Sequence, residues 1–435
     1  MTIGPNDDAP RHFHFIRSAD SSAQPLEWGK GEELVRKSLG EALNARNVAF
    51  LLGAGCSSLV RDGHECGIST MAPLAKDFCS HPKVELDDDL NVITPPDWAL
   101  DAADIAFLGG LGAKLDGTEY SRNLERLMEL LFSLRFVFSR SDRTEHVDRL
   151  QKVNAIIKKV QDFLWKHCTD GLFAHGDSSV LQLYESFYRK LVMRDRSLPR
   201  PWVFTTNYDL FNERAMDRLG LPYANGFSGV IERRFNPATF RYALAEQLDL
   251  SNRKWSAVDG FVYLCKVHGS ISWTEDDHGL FPIREAWPQD SASKVMIYPT
   301  PAKQNSSLGS PYADLFREFQ SRIVREQSVL VTAGYAFGDE HINNIIYQAL
   351  TIPTFRLVIF ADPESGGEVA KLRGLNDPRI WIIGGEGPAT GTRAHYFSTI
   401  VDQFLPQRPT ERIDDAVKLV LERLGKKKVE DEDEL

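Results

Sequence analysis

The chain has 435 residues, 42% hydrophobic and 26% charged, with 61 acidic against 51 basic side chains and a formal charge of −10. At about 150 residues per domain this length predicts about three domains, and the ordinary composition excludes disordered, collagen-like and disulfide-scaffold classes. The acidic balance argues against stand-alone nucleic-acid binding, which needs a basic surface for the phosphate backbone.

The cysteines Cys56, Cys66, Cys79, Cys168 and Cys265 are scattered and form no CxxC pair. That spacing fits neither a disulfide framework nor a structural zinc site. The opening MTIGPNDDAPRHFHF lacks the basic start and apolar run of a secretory signal. No apolar stretch approaches the ~18–20 residues that span a bilayer. A cytoplasmic protein without membrane contact is expected.

In chain order, residues 1–28 are polar and irregular and read as an N-terminal arm. Residues 32–46 predict a helix with Leu34, Val35, Leu39, Ala42 and Leu43 on one face. The apolar run Asn47 to Leu52 stops at Gly53-Ala54-Gly55, the pattern of a buried strand entering a glycine turn. Between 120 and 195 the period becomes helical. Leu124, Leu127, Met128 and Leu131 form one stripe. Val147, Leu150, Ile157, Val160 and Leu164 form a second, and Val180, Leu183, Tyr184, Phe187 and Leu191 a third. Helices in succession without strands predict a helical module inserted into another fold.

After Pro201, apolar runs at Trp202–Phe204, Val262–Val267, Val295–Tyr298, Val329–Thr332, Arg356–Phe360 and Ile380–Ile383 alternate with loops and helices. The predicted class is α/β, a Rossmann-like, mostly parallel sheet with helices on both faces and an inserted helical module. The α/β domain is expected over 29–119 and 196–405, the insertion over 120–195, and a C-terminal helix and acidic tail over 406–435. The end of that tail, KKKVEDEDEL, is charge-segregated and expected to be disordered.

Polar clusters follow four of the apolar runs. Gly53-Ala54-Gly55-Cys56-Ser57-Ser58 offers glycines and amides to a pyrophosphate, but Ser58 stands where the GxGxxG fingerprint has its third glycine, so a plain tight turn fits too. Thr205-Thr206-Asn207-Tyr208-Asp209 puts polar side chains at a strand end, where open α/β sheets bind ligands; Asn207 or Asp209 equally fits a helix cap. His268-Gly269-Ser270 offers a histidine suited to general-base work or to a structural hydrogen bond. In Gly334-Tyr335-Ala336-Phe337-Gly338-Asp339-Glu340-His341-Ile342-Asn343, Asp339 fits an N-cap, and the helix start it caps is also an anion site. His64-Glu65-Cys66 is read as part of the loop after the glycine turn rather than as a metal motif, because no downstream PCxxC accompanies it. Trp273 and the Lys158-Lys159 pair are read as core and solvated-face residues.

In this order the series GAGxS, TNYD, HGS and GYxFGDxHIN resembles the sirtuin-like domains of bacterial antiphage defence proteins, over roughly residues 48–350. The resemblance implies a Rossmann-like sheet that binds NAD as substrate and breaks its nicotinamide–ribose bond. It places Gly53, Ala54, Gly55 and Ser57 along the dinucleotide phosphates. Asn207 and Asp209 then handle nicotinamide and its ribose, His268 is the catalytic histidine, and Gly334, Tyr335 and Asp339 close over the adenosine half. Thr206, Tyr208, Gly269, Ser270, Phe337 and His341 join the cofactor-binding set as motif neighbours. Sirtuin deacylases carry two zinc-binding CxxC pairs between the histidine motif and the later glycine motif, whereas residues 271–333 contain no cysteine. No zinc is therefore expected, and water becomes the acceptor. The implied activity is an NAD glycohydrolase acting in abortive infection, assembled as a homo-oligomer with a hexameric HerA-like ATPase or another sensor subunit. The alternatives are a protein deacylase or ADP-ribosyltransferase, or a non-catalytic NAD or ADP-ribose sensor.

Overall fold

The computed structural model describes residues 10–17, 24–61, 64–80, 95–173, 177–249, 254–275, 283–286, 294–296 and 311–407. Its central sheet is built from β1 (His12–Ile16), β2 (Leu26–Glu27), β3 (Asn47–Leu52), β4 (Trp202–Thr205), β5 (Tyr223–Ala224), β6 (Val262–Lys266), β7 (Ser328–Ala333), β8 (Arg356–Phe360) and β9 (Ile380–Gly385). The strand order is β2-β1-β9-β8-β7-β3-β4-β6-β5. From β9 to β5 all neighbours are parallel, while β1 and β2 extend the β9 edge antiparallel.

The inner strands are unbroken apolar runs because both faces are covered. Alternate side chains of β3 enter two cores: Val48, Phe50 and Leu52 one, Ala49 and Leu51 the other. The first core takes Val35, Leu39 and Ala42 from the helix Lys30–Leu43 together with Leu127, Leu131, Val160 and Phe187 from the predicted insertion. The second takes Leu315, Phe319, Ile342 and Ile346 from the helices Tyr312–Ile323 and Glu340–Leu350.

The three predicted insertion helices are present as Leu124–Ser139, Thr144–Phe173 and Ser179–Leu191. The stripe of the third helix closes on one face of the sheet, with Phe187 meeting Phe50 edge-on at 5.2 Å between ring centroids, whereas Val147, predicted on the second stripe, is exposed. The helical stretch begins before residue 120, with Met71–Ser80 and Ala102–Gly110. Pro73 and the pair Gly109-Gly110 weaken the helical signal in those segments, although a capping box between Asp101 and Asp104 fixes the second start.

Three further differences from the sequence reading stand out. The N-terminal segment is not irregular throughout: residues 12–16 alternate and bury Phe13 and Phe15, so they pair with β9 as an edge strand. The segment at Val295 joins not the parallel sheet but a separate antiparallel sheet, in the order Lys294–Met296, Gly269–Glu275, Ile283–Glu285, Arg233–Phe235, Phe227–Ser228. The His64-Glu65-Cys66 segment is not a loop, because His64–Gly67 pairs with Ser58–Arg61 as a hairpin. The predicted C-terminal helix and tail lie beyond residue 407, outside the described residues. No helix among the described residues is long and apolar enough to cross a membrane.

Candidate functional site

Register brings the four motifs together. Leu52 pairs with both Ala333 and Thr205, and Thr205 pairs with Lys266. The strand ends are therefore level, and the polar clusters that follow emerge side by side at the carboxyl edge of the sheet. From β3 the chain crosses to β4 on one side and returns to β7 on the other, so this edge is a topological switch point, where open α/β sheets bind ligands.

The glycines serve the close approach of two loops. An added Cβ at Gly53 would lie 2.4 Å from the Gly334 carbonyl oxygen, and one at Gly334, whose φ is +60°, would lie 2.5 Å from the Cys56 nitrogen. Gly53 N donates to Ala333 O at 2.9 Å and Gly55 N to Gly334 O at 3.0 Å. Cys56 N and Ser57 N donate within the same turn, to Gly53 O and Ala54 O. These amides are committed to stitching the loops together, so the turn shapes the cavity wall rather than presenting those donors to a phosphate. Cys56 is sealed beneath, and burial pushes its thiol well above the usual range, which keeps it inert.

A cavity of about 510 Å³ opens at this edge, within the size range of small-molecule sites. Ala54, Gly55, Ser57, Thr206, Asn207, Tyr208, Asp209, His268, Gly334, Tyr335 and Asp339 all line it. Asn207 Nδ2 donates to Gly53 O at 2.9 Å and to Ser57 Oγ at 2.9 Å. Both amide hydrogens are then used, which leaves Oδ1 as the atom this side chain offers to a ligand. Ser57 Oγ donates to Asp209 Oδ2 at 2.6 Å and lies 3.4 Å from the Tyr184 hydroxyl, which burial keeps protonated. Ser57 thus bridges two of the three candidate catalytic side chains, Asn207 and Asp209.

Asp209 precedes its helix's N-cap, Leu210, and so is not the cap the sequence allowed, whereas Asp339 is one; each carboxylate divides its oxygens between a helix amide and a cavity-lining side chain. Asp209 Oδ1 accepts from Phe211 N at 3.0 Å, at the start of the helix Phe211–Leu219, while Oδ2 holds Ser57. Asp339 Oδ1 caps the helix Glu340–Leu350 through His341 N and Ile342 N, at 2.8 and 3.2 Å. Its Oδ2 lies 2.9 Å from His268 Nε2. Both side chains are buried, so the histidine ring is held on one side by a fixed acceptor.

The remaining predicted residues stand behind the cavity. Gly53 and Gly269 are backbone pivots, and Ser270 Oγ accepts from Lys266 Nζ at 2.9 Å. Phe337 is buried with φ at +57° and packs against the Tyr335 ring, 4.9 Å away between centroids. His341 contributes its backbone to the Asp339 cap, and its side chain is exposed.

Sequence reasoning missed the far wall. Ile68, Met71, Leu74, Leu164 and Cys168 form it with Arg122, Asn123 and Glu125, so the helical insertion contributes directly to the site. It also missed Lys266, whose signal was a charged residue inside the apolar run VYLCKV. A second cavity, of about 390 Å³, shares Gly55, Thr70, Gly334, Tyr335 and Ala336 with the first and continues to Asp362, His395 and Tyr396 beyond β8.

Among known proteins, no curated protein matches the chain. The SIR2-like domain family matches residues 201–365. That segment holds Asn207, Asp209, His268 and Asp339, while the glycine turn after β3 lies outside it. The match supports the sirtuin-like resemblance, the mixed α/β architecture is consistent with the Rossmann-like SIR2 fold, and SIR2-like domains use NAD.

Proposed function

We propose that the protein is an NAD glycohydrolase, which hydrolyses NAD to nicotinamide and ADP-ribose. The observation that carries this reading is the convergence of Asn207, Asp209, His268 and Asp339 on one cavity, all within the SIR2-like segment. The two joined cavities at the switch point suit a two-headed ligand, with the nicotinamide half beside Asn207 and His268 and the adenosine half beyond Gly334 and Tyr335.

Breaking the bond between ribose C1′ and the pyridinium nitrogen sends its electron pair to that nitrogen, releases neutral nicotinamide and leaves positive charge on the ribose. Asp209 supplies a fixed negative charge beside the cavity. Asn207 Oδ1 accepts a hydrogen bond from the attacking water or from a ribose hydroxyl. As the water oxygen bonds to C1′, His268 takes its proton and later passes it to solvent. The products balance as nicotinamide, ADP-ribose and one proton. Asp339, by accepting from Nε2, orients the ring and leaves Nδ1 as the basic atom.

Water is favoured over a peptide acceptor because residues 271–333 carry no cysteine to build the zinc module of the deacylases. The wider role proposed is that of an effector in a bacterial antiphage, abortive-infection system, as a cytoplasmic homo-oligomer restrained or triggered by a HerA-like hexameric ATPase or another sensor subunit. Its support is the motif resemblance together with the need to restrain an activity that destroys NAD.

Chromatographic detection of nicotinamide and ADP-ribose tests the chemistry. Asn207→Ala and His268→Ala should each lower cleavage about a thousandfold, a barrier increase of ~4 kcal/mol, while the fold is retained. Cleavage by both variants at near wild-type rates would overturn the site assignment.

A further inference from the structure

Lys266 ends β6 with only 1% of its surface exposed. Its strand neighbours on the same face, Val262 and Leu264, are apolar and buried, so packing alone calls for another apolar residue here. A buried ammonium persists only where its donors are matched. The three hydrogens of Nζ face four acceptors, one being shared: the carbonyl oxygens of Tyr208, at 3.2 Å, and Asp209, Glu213 Oε1 at 3.0 Å and Ser270 Oγ at 2.9 Å. Two of these acceptors belong to the loop that carries Asn207 and Asp209. Ser270 lies two residues after His268, and Glu213 stands in the first turn of the helix that follows the loop. The Tyr208 carbonyl also accepts from Ile271 N at 3.0 Å, which ties the same two segments a second time. Lys266 itself does not line the cavity.

We propose that Lys266 is a positioning residue that locks the Asn207–Asp209 loop to the His268 segment from beneath, fixing the separation of the two reacting side chains without touching the ligand. The inference rests on the NAD-cleavage reading of that cavity. One charge joins two stretches distant in sequence, residues 208–213 and Ser270. Losing it releases the Asp209 carbonyl and leaves the Tyr208 carbonyl held by Ile271 N and Ser270 Oγ alone, so the loop can shift, and a misplacement of about 1 Å between reacting groups costs on the order of a hundredfold in rate.

The test uses the full chain and the double variant Lys266→Met/Glu213→Leu, which removes both buried charges together and so orphans neither. Three measurements are made: kcat and KM for nicotinamide release, thermal unfolding, and hydrogen–deuterium exchange resolved to residues 206–211 and 268–272. The expected result is an unfolding midpoint close to wild type, KM for NAD within about threefold, kcat lower by about 30- to 100-fold, and faster exchange confined to those two segments. Wild-type kcat in the double variant overturns the proposal. So does a loss of kcat that accompanies a lowered midpoint and faster exchange across the whole sheet, which marks a merely structural role. If the wild-type protein releases no nicotinamide, the enzymatic reading fails by itself. The exchange measurement then decides for Lys266: a local rise supports the lock, and an unchanged pattern overturns it.

Discussion

The Asp339→Asn substitution separates the two tasks of one side chain. Asp339 Oδ1 caps the helix Glu340–Leu350 and Oδ2 holds His268 Nε2 at 2.9 Å. Asparagine caps a helix about as well as aspartate, so with its oxygen on the His341 and Ile342 amides stability should change by less than about 0.5 kcal/mol. Its NH2 group then faces Nε2, and two donors cannot pair. His268 must turn its proton to the other nitrogen or lose the contact, and the basic atom is no longer the one the site presents. The corresponding substitution in a serine-protease triad drops kcat about 10⁴-fold through the same tautomer reversal. Here the ring is also held by packing, so we expect a loss of about 10²- to 10⁴-fold, or ~3–5 kcal/mol in barrier. The assay is nicotinamide release alongside thermal unfolding of both proteins. Unchanged kcat with unchanged stability would refute the pairing as a determinant of catalysis. Asp339→Ala, which also removes the cap, should additionally lose about 1 kcal/mol of stability.

Two further outcomes follow from the same geometry. Gly334→Ala places a Cβ 2.5 Å from the Cys56 nitrogen at a φ of +60°, so it should destabilise the protein by more than about 2 kcal/mol in urea unfolding and weaken dinucleotide binding; a neutral effect would mean the glycine turns are not packed as described. His395, in the second cavity, has its pKa lowered from 6.5 by burial, and its Nδ1 meets no hydrogen-bond partner among the described residues. Below pH 6.5 the unfolded chain therefore binds a proton that the folded chain resists, so stability falls as pH drops from there to the lowered folded value, by at most about 1.4 kcal/mol per pH unit. Urea unfolding between pH 5 and 8 should show this slope flattened in His395→Asn, and parallel profiles for the two proteins would refute it.

Much of the scaffold is legible in the amino-acid sequence. Unbroken runs such as SVLVTA and RLVIF read as strands buried on both faces, which implies a parallel sheet under helices, and the turn and motif residues at their ends mark the edge where the cavity opens. Periodicity in residues 124–191 likewise predicted the helices of the insertion. The edge strand at Phe13 and Phe15 escaped notice because half-buried alternation over five residues is a weak signal whose partner, β9, lies far along the chain.

The amino-acid order by itself determined which polar residues stand at the sheet edge, because Asn207, Asp209, His268 and Asp339 each follow an apolar run that ends there. It did not decide their relations. Whether Asp209 and Asp339 serve helix starts or the cavity looked like a choice until the fold showed each carboxylate using one oxygen on an amide of the following helix and the other on a cavity-lining side chain, with Asp339 alone of the two at the N-cap. The pairing of His268 with Asp339, the bridge through Ser57, the buried lysine beneath the loop and the wall supplied by Leu164 and Cys168 join residues tens to hundreds of positions apart. Only the pairing of distant strands and the packing of the insertion against the sheet bring such residues within hydrogen-bonding distance, and no local stretch of sequence names its distant partner.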